Sequence, residues 1–132
     1  MKSLFADASF YLAVVGPSDV WHQVASDFSR NRLQVVTTEY VLAEVANLLS
    51  RVGDRGVFVQ LFHQIESDRN TTIVASSNSL WLRGLRLYAD RFDKNWSLTD
   101  CISFVVMQDH GLTEALTADR HFEQAGFTIL LK

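Results

Sequence analysis

Short aliphatic runs alternate with helix-length amphipathic segments along the whole chain, and this alternation limits the fold more than any other feature of the sequence. The runs stand at 3–6 (SLFA), 33–37 (LQVVT), 71–75 (TTIVA), 114–118 (EALTA) and 127–131 (FTILL). Between them, 18–30 carries Val20, Trp21, Val24 and Phe28 at helical spacing behind a Ser18 cap. A helix over 38–53 opens at Thr38 and closes near Gly53, and another spans 56–67. A helix over 77–92 places Leu80, Leu82, Leu85 and Leu87 among arginines, and the last begins near Ser97. Strands alternating with helices describe right-handed βαβ units and a parallel sheet covered on both faces. The expected fold is α/β: a three-layer α/β/α sandwich with a parallel sheet of about five strands, formed by residues 1–132 as one domain.

Composition narrows the setting. With 48% hydrophobic residues in 132, the chain can bury a core without staples. Its single cysteine, Cys101, lies among Ile102, Phe104 and Val105, which reads as a small buried hydrophobe in a reducing compartment. Lone Pro17 marks a turn in GPSD, and no linker or repeat is present. The N-terminal segment MKSLFADASFYLAVVG is interrupted by Asp7 and Ser9, so it reads as the first strand rather than a signal peptide. No apolar run approaches the roughly 18 residues of a membrane span. These features lead to the expectation of a cytoplasmic protein without a membrane partner.

In a parallel α/β sheet, the residues after each strand and the first turn of a helix leading to the next parallel strand share the carboxyl edge. Asp7 follows the first run, Asp119 follows the fourth, and Asp100 opens the helix that precedes it. Each has an alternative role as a helix cap, and Ser97-x-x-Asp100 has the capping-box spacing. Glu44 is different. It sits in the second turn of its helix among Val41, Leu42, Val45, Leu48 and Leu49, where a carboxylate points partly inward and requires a partner or a metal. Glu39, one residue past the cap, is a favourable charge on a helix N-terminus. Carboxylates gathered on one edge without a lysine repel unless a cation lies between them, and oxygen ligands suit Mg²⁺ or Mn²⁺.

The segments FADASF, TTEYVLAEVANLL, WSLTDCISFVVM and ALTADRHFEQAGF, in this order and spacing, resemble a PIN-domain ribonuclease, specifically the VapC-type toxin of toxin-antitoxin pairs. The resemblance implies a metal-dependent endoribonuclease whose acidic quartet falls on Asp7, Glu44, Asp100 and Asp119. It implies that Ser9 and Thr117 support those acids as hydroxyl donors, and that Mg²⁺ or Mn²⁺ activates a water to leave 3′-hydroxyl and 5′-phosphate ends. Where some relatives carry a further acid near the fourth position, this chain has Thr117 and Ala118. The partners implied are an RNA substrate, a cognate antitoxin protein and a second copy of the chain in a homodimer.

A net charge of −3 at first opposes an RNA partner, but neutralising the four acids leaves the remainder at +1. Arg83, Arg86, Arg91 and Lys94 form a tract that either follows an RNA backbone or is a solvated helix face diluted by Asp90 and Asp93. The apolar faces of 38–51 and 56–67, with Val57, Phe58, Leu61 and Phe62, are the expected antitoxin groove. His22 and His63 read as surface or partly packed residues, and His110 as a helix C-terminal cation. His121 reads as a phosphate contact beside Asp119 or as packing, and Trp96 as core or a base-stacking ring beside Asp100. A receiver-like or aspartyl-phosphate enzyme also keeps acids on this edge, yet FADASF lacks its Asp-x-Asp pair. A processing nuclease without an antitoxin and a non-catalytic RNA-binding relative are the remaining alternatives.

Overall fold

A computed structural model of the chain describes residues 2–132. Its sheet contains β1 (Ser3–Ala6), β2 (Gln34–Thr38), β3 (Thr71–Val74), β4 (Glu114–Leu116) and β5 (Thr128–Ile129), in the order β3-β2-β1-β4-β5. Every neighbouring pair is parallel. The connecting helices are α1 (Ala8–Val15), α2 (His22–Arg30), α3 (Glu39–Leu48), α4 (Arg55–Ser67), α5 (Asn78–Asp90), α6 (Leu98–Asp109) and α7 (His121–Gln124).

The chain steps outward from β1 to β2 and β3, then crosses back to β4 and β5 on the other side of β1. With right-handed crossovers, this path puts α1 to α4 on one face and α5 to α7 on the other, the three layers expected from the alternation. The direction reverses between β1 and β4, and the carboxyl ends of those strands flank the crevice where open α/β sheets hold their ligands.

Helix α6 is the centre of the second layer. Cys101 to Met107 are all buried, because one side of the helix meets the sheet and another meets α5. The approach of α5 depends on Gly84: a Cβ there would lie 2.3 Å from Ile102 Cγ1. At the carboxyl edge, buried Thr37 donates its hydroxyl to the Ala6 carbonyl at 2.9 Å and fixes the end of β2 against the end of β1.

Several boundaries differ from the sequence expectations. The N-terminal segment is not strand alone; α1 follows Asp7 directly, and its buried Ala8, Phe10, Tyr11 and Ala13 leave too little polar contrast for a periodic signal. The second helix begins at His22 rather than behind Ser18, because Asp19 Oδ1 accepts from Trp21 N at 2.8 Å in a turn, and Val20 is 82% exposed. Thr38 does cap α3, accepting from Val41 N at 3.0 Å, but the helix ends at Leu48 and Gly53 does not close it. Strands β4 and β5 are shorter than their apolar runs, and α7 occupies a stretch that the sequence reading left without an element.

Candidate active site and metal centre

The four acids reach the crevice by different local devices. Asp7 holds the N-cap position of α1, but its side chain does not make the usual capping hydrogen bond. Its Oδ2 instead accepts from Thr117 Oγ1 at 2.9 Å, so the carboxylate is turned across the sheet edge toward β4. Asp119 follows β4 in an Asx turn, its Oδ1 accepting from His121 N at 2.9 Å. Asp100 does form the capping box: Ser97 N donates to its Oδ2 at 3.1 Å and Asp100 N donates to Ser97 Oγ at 3.0 Å. Capping does not account for all its contacts, since the same Oδ2 lies 3.3 Å from His121 Nδ1. That nitrogen is also 3.1 Å from Asp119 Oδ1.

Asp100, Asp119 and His121 therefore converge, with ligand atoms all within 4.8 Å of one another. His121 Nδ1 is buried and makes no hydrogen bond despite its two carboxylate neighbours. An orphaned imidazole nitrogen between two carboxylates is a donor set that fits a divalent cation. Glu44 joins from α3, half-buried, at a cleft of 410 Å³ shared with Tyr40, Asn47 and Thr99. Burial raises its carboxyl above the usual range, and the charges of Asp100 and Asp119 raise it further. Thus Glu44 and Asp7 border the cluster that Asp100, Asp119 and His121 form. Sequence reasoning placed His121 beside Asp119 but not among the acids' partners; the only available signal was its spacing of two residues from Asp119 in an Asx-turn sequence.

Ser9 and Thr117 build the floor of the site. Thr117 Oγ1 donates to Asp7, so its lone pairs take the Asp119 N–H at 3.0 Å and the Ser9 hydroxyl at 3.0 Å. Ser9 Oγ in turn accepts from Ala118 N at 3.1 Å. Every hydroxyl proton in this chain then has one direction, ending on the Asp7 carboxylate. The relay locks the β4–α7 loop to α1 and holds Asp7 and Asp119 in register.

The metal-free protein should be more stable at pH 5 than at pH 8, as thermal melts in EDTA would measure. Asp7 is raised to about 7, first by burial and also by the charges of Asp100 and Glu44, against hydrogen bonds from Ala8 and Thr117. The raised folded value means that between about pH 4 and pH 7 the native state binds a proton the unfolded chain lacks. Stability therefore falls as pH rises through that window and levels off above it, by at most roughly 4 kcal/mol from this group. Asp7→Asn should flatten the profile; an unchanged slope in that variant refutes the assignment. Cys101, also buried here, has its thiol pushed up to about 11, first by burial and then by Asp100, which removes it as a thiolate nucleophile.

Of the basic tract, Arg83 and Arg86 lie exposed on α5, and Arg91 and Lys94 are half-buried in the segment that follows it. Arg83 forms a two-pronged pair with Asp109, at 2.7 Å on each arm. Asp109 ends α6, nine residues after Asp100, or about 13 Å along the helix. Arg86 is exposed. Arg91 is held by Asp93 at 3.0 and 3.1 Å and lies over the Trp96 ring, and Lys94 is 3.9 Å from Asp93. Trp96 itself is buried against Phe104.

The sequence model of the PIN domain family matches residues 4–128. The 23S rRNA-specific endonuclease VapC20 of Mycobacterium tuberculosis (strain CDC 1551 / Oshkosh) is 28% identical over 130 residues, covering 94% of this chain and 95% of the relative. The crystal structure of Mycobacterium tuberculosis VapC20, described as a Sarcin-Ricin loop cleaving toxin, matches with a TM-score of 0.83 at 25% identity, covering 95% of this chain and 96% of that one. FitAcB from Neisseria gonorrhoeae has the same fold, with a TM-score of 0.66 at 16% identity over 96% of each chain.

Proposed function

The chain belongs to the PIN domain family, and from that premise we propose that it is a divalent-metal-dependent endoribonuclease acting as the toxin of a toxin-antitoxin pair. The observation that carries this reading is the convergence of Asp100, Asp119 and the orphaned His121 nitrogen at the strand-order reversal, with Asp7 and Glu44 beside them. The similarity to VapC20, an endonuclease named for its 23S rRNA target, supports RNA as the substrate class.

Asp100, Asp119 and His121 would hold the cation, with Asp7 and Glu44 completing the anionic wall. A bound divalent ion supplies neutralisation of charge on the transferring phosphate and a more acidic attacking water. The protein's own task is to keep the carboxylates aimed at one point despite their repulsion. Asp100 is held by the Ser97 cap, Asp119 by its turn, and Asp7 by the one-directional hydroxyl relay. An imidazole among the donors favours Mn²⁺ over Mg²⁺, the harder ion. Incubation of the purified protein with structured RNAs should give 3′-hydroxyl and 5′-phosphate ends, faster with Mn²⁺ than with Mg²⁺ and not at all in EDTA. Cutting that survives EDTA, or that leaves 2′,3′-cyclic phosphates, overturns the mechanism.

The antitoxin site we assign to the face where α3 meets α4. Phe58 and Phe62 stack at 6.3 Å there and line a groove of 260 Å³ with Leu42, Ala43 and Ala46. Leu61, named with them from the sequence, is buried beneath that face rather than on it. The groove suits the apolar side of an amphipathic segment. Phe58→Asp should abolish neutralisation by the product of the adjacent small gene in a growth assay while toxicity persists; full neutralisation of the variant would remove the groove from this role. A homodimer and a cytoplasmic location are proposed on the same family resemblance. Among the described residues no helix is long and apolar enough to cross a membrane.

A further inference from the structure

The short connection between α5 and α6 borders an open surface cavity of 360 Å³ that the acids do not use, lined by Tyr88, Arg91, Phe92, Lys94, Asn95 and Trp96. Phe92 is 94% exposed and Tyr88 50% exposed, so two aromatic faces stand open at its mouth. Its back wall is held by packing and hydrogen bonds. Trp96 is buried edge-on against Phe104 at 5.0 Å, and its Nε1 donates to Gln124 Oε1 at 3.0 Å. The Arg91 guanidinium lies 4.9 Å from the Trp96 ring centroid, braced there by both oxygens of Asp93.

Two routes, one along the backbone and one through a hydrogen bond, tie this cavity to the acidic cluster. Trp96 immediately precedes Ser97, which caps the helix whose first turn holds Asp100. Gln124, its hydrogen-bond partner, ends the helix that His121 begins. Asp100 is four residues on from Trp96, and His121 is three residues back from Gln124.

We propose that this cavity is a nucleotide subsite, which takes an unpaired base of the RNA substrate against Phe92 and Tyr88 and its phosphate beside Lys94 and Arg91. The proposal rests on the endoribonuclease reading and names where the strand flanking the cut is gripped. Single-stranded RNA is held by this chemistry: aromatic faces and guanidinium planes for bases, with cations for the backbone. A contact with a second copy of the chain is the competing occupant, since Trp81, Leu85 and Tyr88 continue the apolar stripe along α5. The lining favours RNA over that contact. Arg91, Lys94 and Asn95 place charge and hydrogen-bonding groups in the lining, two cations against the single carboxylate of Asp93, whereas the core of a protein interface is depleted of charged residues.

The test uses the Asp119→Asn protein, which should not cut, with a fluorescein-labelled adenosine octamer and an abasic octamer of equal length and charge. Anisotropy should show tighter binding of the adenosine octamer, and Phe92→Ala on this background should weaken it by about tenfold while leaving the abasic octamer unchanged. Phe92→Trp should restore the preference. Sedimentation velocity on every variant reads the assembly state. Equal binding of the two octamers, or a base preference that survives Phe92→Ala, overturns the subsite. A binding loss that tracks dissociation of a dimer also overturns it and assigns Phe92 to a contact between copies. Intact base preference in a wild-type protein that cuts no RNA in Mn²⁺ supports the subsite and overturns the nuclease reading instead.

Discussion

Asp100→Asn should lower RNA cleavage by at least about a hundredfold while the metal-free protein melts no lower than the wild type. Cap and ligand make opposite claims on this residue, and both are visible in the structure. The cap needs only an oxygen to accept from Ser97 N, and an asparagine carboxamide provides one, so removing the charge costs the helix at most about 1 kcal/mol. Against that cost stands the repulsion among Asp100, Asp119, Glu44 and Asp7, which raises the carboxyls of Asp7, Glu44 and Asp100 beyond the effect of burial. Like charges about 4 Å apart repel by up to about 4 kcal/mol at an effective dielectric near 20. Relief of even part of this repulsion offsets the weaker cap. Added Mn²⁺ stabilises a protein by binding its native state, so the wild type should gain melting temperature with Mn²⁺ and Asp100→Asn should gain much less. Equal metal-induced shifts together with retained cleavage would return Asp100 to a cap alone.

The sequence made the acids legible because their positions follow from topology. Once runs and helices alternate, residues just past a strand reach the carboxyl edge: Asp7 directly follows β1, and Asp119 stands three residues past the end of β4. Glu44 was legible for a different reason, as a charge on the apolar side of a helix. The place of His121 was not, because its nearness to both carboxylates depends on the Asx turn at Asp119 and on where α6 sets Asp100. The alternation of apolar runs also hid α1: a helix buried on nearly all sides has no polar stripe, so periodicity cannot separate it from a strand. The ion pairing of Arg83 was likewise not legible. Four basic residues close in sequence suggested one tract, but α5 lies against α6 and the partner of Arg83 is fixed at the far end of that helix. Pairing of side chains across two elements is a tertiary fact, and sequence spacing along one of them does not contain it.

Phe104→Ala should cost about 3–5 kcal/mol of stability, lower the melting temperature by about 10–20 °C, and reduce cleavage even under conditions where the variant stays folded. Phe104 is 2% exposed and packs edge-on against Trp96 and Phe122, both with centroids at 5.0 Å, and against Phe127 at 5.7 Å. Those three rings belong to the segment before α6, to α7 and to the segment entering β5. A single side chain therefore clamps the helix start that carries Asp100 against the short helix that carries His121. Helix α7 has only four residues, too few to hold its position by its own hydrogen bonds, so its packing through Phe122 sets where the His121 nitrogen points. Loss of the ring leaves a cavity between the two, and small shifts of ligands lower metal affinity steeply because the donors must meet at one point. Leu61→Ala is the control: Leu61 is equally buried but lies in α4, on the opposite face of the sheet, and its loss should cost a similar 2–5 kcal/mol. At a temperature where both variants are folded, Leu61→Ala should cleave RNA at the wild-type rate and keep its Mn²⁺-induced melting shift, whereas Phe104→Ala should lose most of both. Parallel behaviour of the two variants would mean that the aromatic clamp contributes stability alone and that the metal centre is positioned by the caps and turns around Asp100 and Asp119.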